Sequence, residues 1–193
     1  MAAGYQSRGR MSLKELTKEK HTEAENTAFM QAVFNKTLPR DLWLDWTYQK
    51  TLFYGGIEGV AGARGLLIDL PDLRRAFYLY QDFEEAWDKN KTKPEYRPKV
   101  REYHNYIMSI GQDPQKIMAH LYTWHMGDMF GGQMIKKIVP GPHRNLEFKD
   151  LPTLMTNIRA KLSDDMGPEA NCAFQWAIDM MNGYNDELNL EQN

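Results

Sequence analysis

Residues 118–137 read MAHLYTWHMGDMFGGQMIKK, and the fold turns on how that stretch is taken. Most of its residues favour a helix, yet Gly127, Gly131 and Gly132 stand in its interior. Each interior glycine costs a helix about 1 kcal/mol relative to alanine, so three of them require a reason. Spaced by four and five residues, they fall on one side of a helix and strip that side of side chains. What remains is bare backbone that something broad and flat can approach closely. Such faces are common in membrane helix pairs, but Asp128, His125, His120 and the Lys136–Lys137 pair do not suit a bilayer. The bare face therefore meets a ligand or another helix.

The rest of the chain frames this stretch with further helices. Asp113 followed by Pro114 is an N-cap with proline at the first helical position, and Pro140-Gly141-Pro142 stops the helix near Val139. Nearer the N-terminus, Ser12 and Glu15 form a capping box that opens a helix running to about Glu25. TAFMQAVFNK is helical until Thr37-Leu38-Pro39 breaks it. Asp41 is expected to cap the helix LWLDWTYQKTLFYGGIEGVAGARG, where apolar and aromatic residues recur at three and four. Its glycines from Gly55 onward again thin one face. Pro71-Asp72 is expected to start the helix LRRAFYLYQDFEEAWDKN, with a polar loop over Lys89 to Pro98. Val100 to Ile110 resumes helical spacing up to Gly111; LPTLMTNIRAKLSDDM follows, and a last helix runs from Glu169 to about Leu190. No alternating run is bounded by hairpin turns, so the expected fold is all-α, a single bundle of six to eight helices.

Composition narrows the function classes. A chain of 193 residues fits one domain. Lys and Arg total 24 against 26 Asp and Glu, for a net charge of -2, so no global field points to nucleic acid or an anionic membrane. The single cysteine, Cys172, forms no internal disulfide and suits a reducing compartment. No apolar run approaches the roughly 20 residues of a membrane span, and MAAGYQSRGR lacks a signal peptide's apolar core. Residues 1–11 read as a disordered leader or an expression remnant, since Met11 serves well as a start. The expectation is a cytoplasmic protein.

Several side chains could carry chemistry. On the first helix, Lys14 precedes His21 by seven residues, on the same face and roughly 10 Å away. Glu25, one turn after His21, can accept from the imidazole and select the nitrogen left for a metal. An imidazole with a cation two turns away would suit a haem, nitrogen to iron and ammonium to a propionate; the plain alternative is an ordinary surface histidine. Asp128 beside Gly127 is either a solvated carboxylate or one that holds water next to a bound ligand and relays protons. His104, His120, His125 and His143 show no metal-ligand spacing, and Cys172 between Asn171 and Ala173 reads as packing.

Two stretches taken together carry a resemblance. LKELTKEKHTEAENTAFM resembles the proximal helix of the haem oxygenases, and AHLYTWHMGDMFGGQMIKKI resembles their distal helix, whose GD-x-x-GG-Q signature is here Gly127, Asp128, Gly131, Gly132 and Gln133. NCAFQWAIDMMNGYNDEL is similar to their closing helix, so the likeness runs from Ser12 to Leu188. It implies one domain over 12–193, an all-α bundle of the haem oxygenase type with haem between the proximal and distal helices. His21 would be the axial ligand to iron, with Glu25 its neighbour. Lys14 and Arg159 would hold propionates, and Tyr122 and Phe174 would bind the haem. Gly127, Gly131 and Gly132 would let the distal backbone approach it, while Tyr54 and Asp128 would organise distal water. Haem would be cofactor and substrate at once, cleaved with O2 at a meso carbon, the α position by family default, to biliverdin, iron and carbon monoxide.

The resemblance is to the soluble enzymes of the bacterial, plant-type or phage-like kind, commonly fed electrons by ferredoxin, and a monomer is the default expectation. Lys136, Lys137, Arg144 and Lys149 are the expected docking patch. Two positions depart from the family: Trp124 stands where many relatives have an arginine that supports the distal network, and Phe130 replaces a small polar residue. Two other functions stay open on these residues. One is haem storage or sensing without turnover, which has no need of Asp128 or the glycines. The other is a thiaminase-like protein of the same helical fold, which would need Cys172 to be reactive.

Overall fold

A computed structural model describes residues 11–190, with the backbone alone for Leu190. The leader expected over 1–11 therefore lies, apart from Met11, outside the described residues. Every regular element among the described residues is helical: α1 Leu13–Glu25, α2 Ala28–Phe34, α3 Arg40–Ala63, α4 Ala76–Ala86, α5 Pro98–Ser109, α6 Pro114–Leu121, α7 Gly127–Phe130, α8 Gly132–Ile135, α9 Leu151–Arg159, α10 Gly167–Asn182 and α11 Asn185–Leu190. A turn of wider π-helix, Tyr122–Met126, joins α6 to α7. Short 3-10 turns occupy Arg144–Leu146 and Asp164–Met166.

Helix α3 is the central post. Phe53, Tyr54, Ile57 and Ala61, spaced at one and two turns, are fully buried along it, and it packs against α4, α5 and α6. Its C-terminus closes as a Schellman motif. Gly65, at φ 70°, takes the left-handed turn, and the amides of Gly65 and Leu66 donate back to the carbonyls of Gly62 and Ala61 at 3.0 and 2.9 Å. On the other side, α1 lies along α10. Gly167 leaves room there for Leu16, whose Cδ1 is 3.0 Å from where a Cβ would sit, and Lys20 donates to Gln175 at 2.6 Å.

Four expectations are corrected. Asp41 does not cap α3: Pro39 holds the N-cap position without a side-chain bond, and Asp41 pairs with Lys91 instead. The helix expected from Pro71-Asp72 starts only at Ala76. Its first amides, Arg75 and Ala76, donate to the buried Glu58 carboxylate of α3 at 2.5 and 3.2 Å, so the cap comes from another helix. The glycine-bearing helix is not one α-helix to Val139 but α6, the π turn, α7 and α8, ending at Ile135. The last helix breaks after Asn182, which sinks Tyr184 into the core against Phe29 and beneath the Arg97 guanidinium at 3.8 Å. These breaks turn the expected six to eight helices into eleven α segments.

Candidate functional site

The π turn and glycines place Asp128 where α3 can reach it. Tyr54 donates its hydroxyl to Asp128 Oδ2 at 2.7 Å. Lys50, one turn earlier on α3, brings its Nζ to 3.2 Å from Oδ1 and holds it 4.9 Å from the centre of the Tyr54 ring. The carboxylate thus has a phenol on one oxygen and an ammonium on the other. Burial, with the Asp128 charge and hydrogen bond adding to it, pushes the Tyr54 phenol well above its ordinary pKa, so Tyr54 remains a donor. π turns of this sort recur at functional sites.

The glycines beside this cluster differ from one another. A Cβ on Gly127 would meet nothing within 4 Å, and one on Gly131 would meet only the Gly127 carbonyl, at 3.2 Å. That side of the run is bare and open. Gly132 faces inward: it is buried, and a Cβ there would lie 2.8 Å from Leu146 Cδ2. Its role is close packing on the Arg144–Leu146 turn rather than an open face. Phe130, between the glycines, is 49% exposed and has the Arg159 guanidinium 5.8 Å from its ring centre.

Helix α1 reaches the same region. Thr17 lies one turn before His21 and one turn after Lys14, on their face, and its hydroxyl is 3.4 Å from the Tyr122 hydroxyl in the π turn. His21 is exposed over 55% of its side chain, with Nδ1 facing Glu25 at 3.6 Å. Its ring stands edge-on to Phe174 of α10, centroids 5.5 Å apart. Lys14 is exposed. So the structure joins Tyr54 to Asp128, Tyr122 to the His21 face, His21 to Glu25 and Phe174, and Arg159 to Phe130. Of the expected basic patch, Arg144 is tied to the Asp82 and Glu85 carboxylates, which neutralises it locally.

Sequence reasoning missed three participants. Lys50 is the first. The signal for it was its place one turn before Tyr54, a cation on a helix otherwise aromatic on that side. The second is His120, fully buried, with Nδ1 2.6 Å from the Tyr103 hydroxyl and Nε2 3.0 Å from Glu169. Trp124 donates to that same hydroxyl at 2.8 Å, so the indole is turned to α5. The third is His125, whose Nε2 meets Glu58 at 2.9 Å while Nδ1 is buried without a hydrogen-bond partner. Both histidines read as residues without metal spacing, and nothing local revealed their carboxylate partners 49 and 67 positions away.

The His120 pair carries a pH signature. Burial holds the His120 imidazole below its ordinary pKa, outweighing its bond to Glu169. Although burial pushes Glu169 up, bonds from His120 and Tyr106 outweigh it and hold that carboxyl below the usual range. An unfolded His120 takes a proton first, so its contribution to stability is full above about pH 6.5 and is lost as pH falls below that value. Glu169 adds to the loss only below about pH 4.5. Calorimetry from pH 7.5 to 5.5 should show the melting temperature falling. The His120→Gln variant should melt lower at pH 7.5 but change less across that window; equal slopes would contradict the assignment.

Among the described residues, no helix is long and apolar enough to cross a membrane. Comparison with known proteins identifies the frame. Residues 10–150 match the heme oxygenase family. Heme oxygenase 2 of Macaca fascicularis is 32% identical over 134 residues, covering 65% of this chain and 42% of that protein. Human heme oxygenase 1 is 28% identical over 169 residues, covering 78% of this chain and 57% of that protein. The chain thus spans about half the length of the curated relatives it matches. A crystal structure of heme oxygenase-1 from the cyanobacterium Synechocystis in complex with heme superposes with a TM-score of 0.81 at 22% identity, over 91% of each chain. The structure of Leptospira interrogans heme oxygenase gives 0.76 at 23%, over 90% of this chain and 100% of that one. These structural likenesses speak for the fold, and the family match over residues 10–150 speaks for descent: the chain belongs to the haem oxygenase family.

Proposed function

We propose that the protein binds haem between α1 and the glycine run and cleaves it oxidatively at the α meso carbon to biliverdin, ferrous iron and carbon monoxide. The observation that carries this reading is a fixed carboxylate, Asp128, next to helix backbone left bare at Gly127 and Gly131. A storage protein has no use for that pairing. The donor set suits a haem: Glu25 faces Nδ1 of His21, leaving Nε2 for iron. Lys14 and Arg159 are cations for the propionates, Phe174 and Tyr122 offer ring surface, and the open side of Gly127 and Gly131 admits a flat macrocycle. Bound haem supplies the iron centre at which oxygen is reduced and the porphyrin that is cut.

The chain's own residues do the rest. His21 orients the haem, the glycines admit it without a side chain above, and Asp128, held by Tyr54 and Lys50, orders water and hands on protons. The thiaminase-like alternative loses ground at Cys172. Burial pushes that thiol up, away from the thiolate a nucleophile needs. Electrons are assigned to a ferredoxin on the resemblance, the cytoplasm on composition and the single cysteine, and a monomer by default. The test is optical. Haem-loaded protein given oxygen and reduced ferredoxin should lose its Soret band while a biliverdin absorbance grows; a stable ferrous complex without bilin would assign storage instead.

Gly127 gives a separate check. Its backbone is helical, φ -56°, and no neighbour forbids a side chain. Gly127→Ala should therefore stabilise the haem-free fold by up to about 1 kcal/mol while weakening haem binding. Unchanged or tighter haem binding, read by titration, would show that the bare face has another purpose.

A further inference from the structure

Lys50 is the participant whose presence the general reaction does not explain. Its side chain is 9% exposed and that of Asp128 13%. An ammonium so far from water is costly unless paired and hydrogen-bonded. Its Nζ lies 3.2 and 3.5 Å from the two oxygens of Asp128. The stem is steered by the Tyr54 ring, over which the ammonium sits at 4.9 Å. Tyr54 in turn fixes Oδ2 at 2.7 Å. Lys50 and Tyr54 are one turn apart on α3, where Phe53, Tyr54 and Ile57 are fully buried, so both hold Asp128 from a packed element. The residue before His125, Trp124, is uncharged and committed to the Tyr103 hydroxyl.

We propose that Lys50 is the positioning cation of this site: it holds the Asp128 carboxylate in one orientation, so that the water Asp128 orders stands in one place. The proposal rests on the haem oxygenase reading for what that water is used for, but not for the pairing itself. The groups that face Asp128 are Lys50 and Tyr54 from α3, with the His125–Glu58 pair behind the Tyr54 ring, centroids 4.7 Å apart.

The first measurement needs no haem. The unfolding constants of haem-free wild type, Lys50→Met, Asp128→Asn and the double variant, read by chemical denaturation, should show the two positions coupled by about tenfold, and Lys50→Arg should unfold like wild type. Additive effects of the two substitutions overturn the proposal. If Lys50→Met does not fold, Lys50→Gln takes its place in the same cycle, and additivity there again overturns it. The second measurement uses haem-loaded protein. Lys50→Met should lower kcat for biliverdin formation about tenfold with haem affinity retained, and Lys50→Arg should recover most of it. Equal loss in both variants would show a merely structural lysine. If wild type forms no bilin while the haem-free coupling is still found, the family activity fails and the pairing stands.

Discussion

His21→Ala should abolish haem cleavage and remove the imidazole from the iron, so that the optical spectrum of the haem-loaded variant no longer shows a nitrogen axial ligand. The effect is expected to be the largest of any single substitution because, on the proposed assignment, one side chain would both orient the substrate and set the electronic character of its metal. The fold should be indifferent. His21 is more than half exposed, it faces Glu25 at 3.6 Å, and an exposed pair at that separation contributes under about 1 kcal/mol. Loss of its edge contact with Phe174 is also small. The melting temperature of the haem-free variant should therefore match wild type within a degree or two, so that loss of turnover is not loss of structure. Unaltered haem spectra in His21→Ala would move the ligand elsewhere.

Asp128→Asn should keep haem bound and lower biliverdin formation about 100-fold or more, the scale on which a positioned proton-transfer group acts. The amide preserves size, and its oxygen can still accept from Tyr54, so the geometry survives while the charge is lost. Here the fold pays as well. The variant leaves the Lys50 ammonium, 9% exposed, without its counter-charge, and breaking a buried pair from one side costs about 3 kcal/mol. Haem-free Asp128→Asn should thus melt several degrees below wild type. Stability and activity change together at Asp128 and separately at His21, a contrast that measurements of melting and turnover on the two variants would expose. Normal biliverdin yield from Asp128→Asn would place the proton relay on other residues.

How much of this was legible beforehand follows the range of each interaction. The Ser12–Glu15 capping box and the Asp113 cap are contained within four residues, and both form as their spacing requires. Asp41 fits the same local pattern, yet a lysine 50 positions away takes it. The start of α4 is set by Glu58, 17 residues earlier on another helix, so Pro71-Asp72 misled. The glycine run announced an open face, and Gly127 and Gly131 have one. That Gly132 turns inward depends on the π turn and on Leu146, neither written in the spacing. Tyr54 came from family likeness alone and meets Asp128 across 74 positions. Lys50 meets the same carboxylate across 78, without a motif to advertise it.

The central claim is that His21 and the bare backbone at Gly127 and Gly131 take opposite faces of one haem. A crystal structure of the haem-loaded protein tests it most directly. It should show iron bonded to His21 Nε2, with the Gly127–Gly131 backbone against the other face and Asp128 joined to the iron side through water. Iron bound by another residue, or a haem lying away from the glycine run, would contradict it.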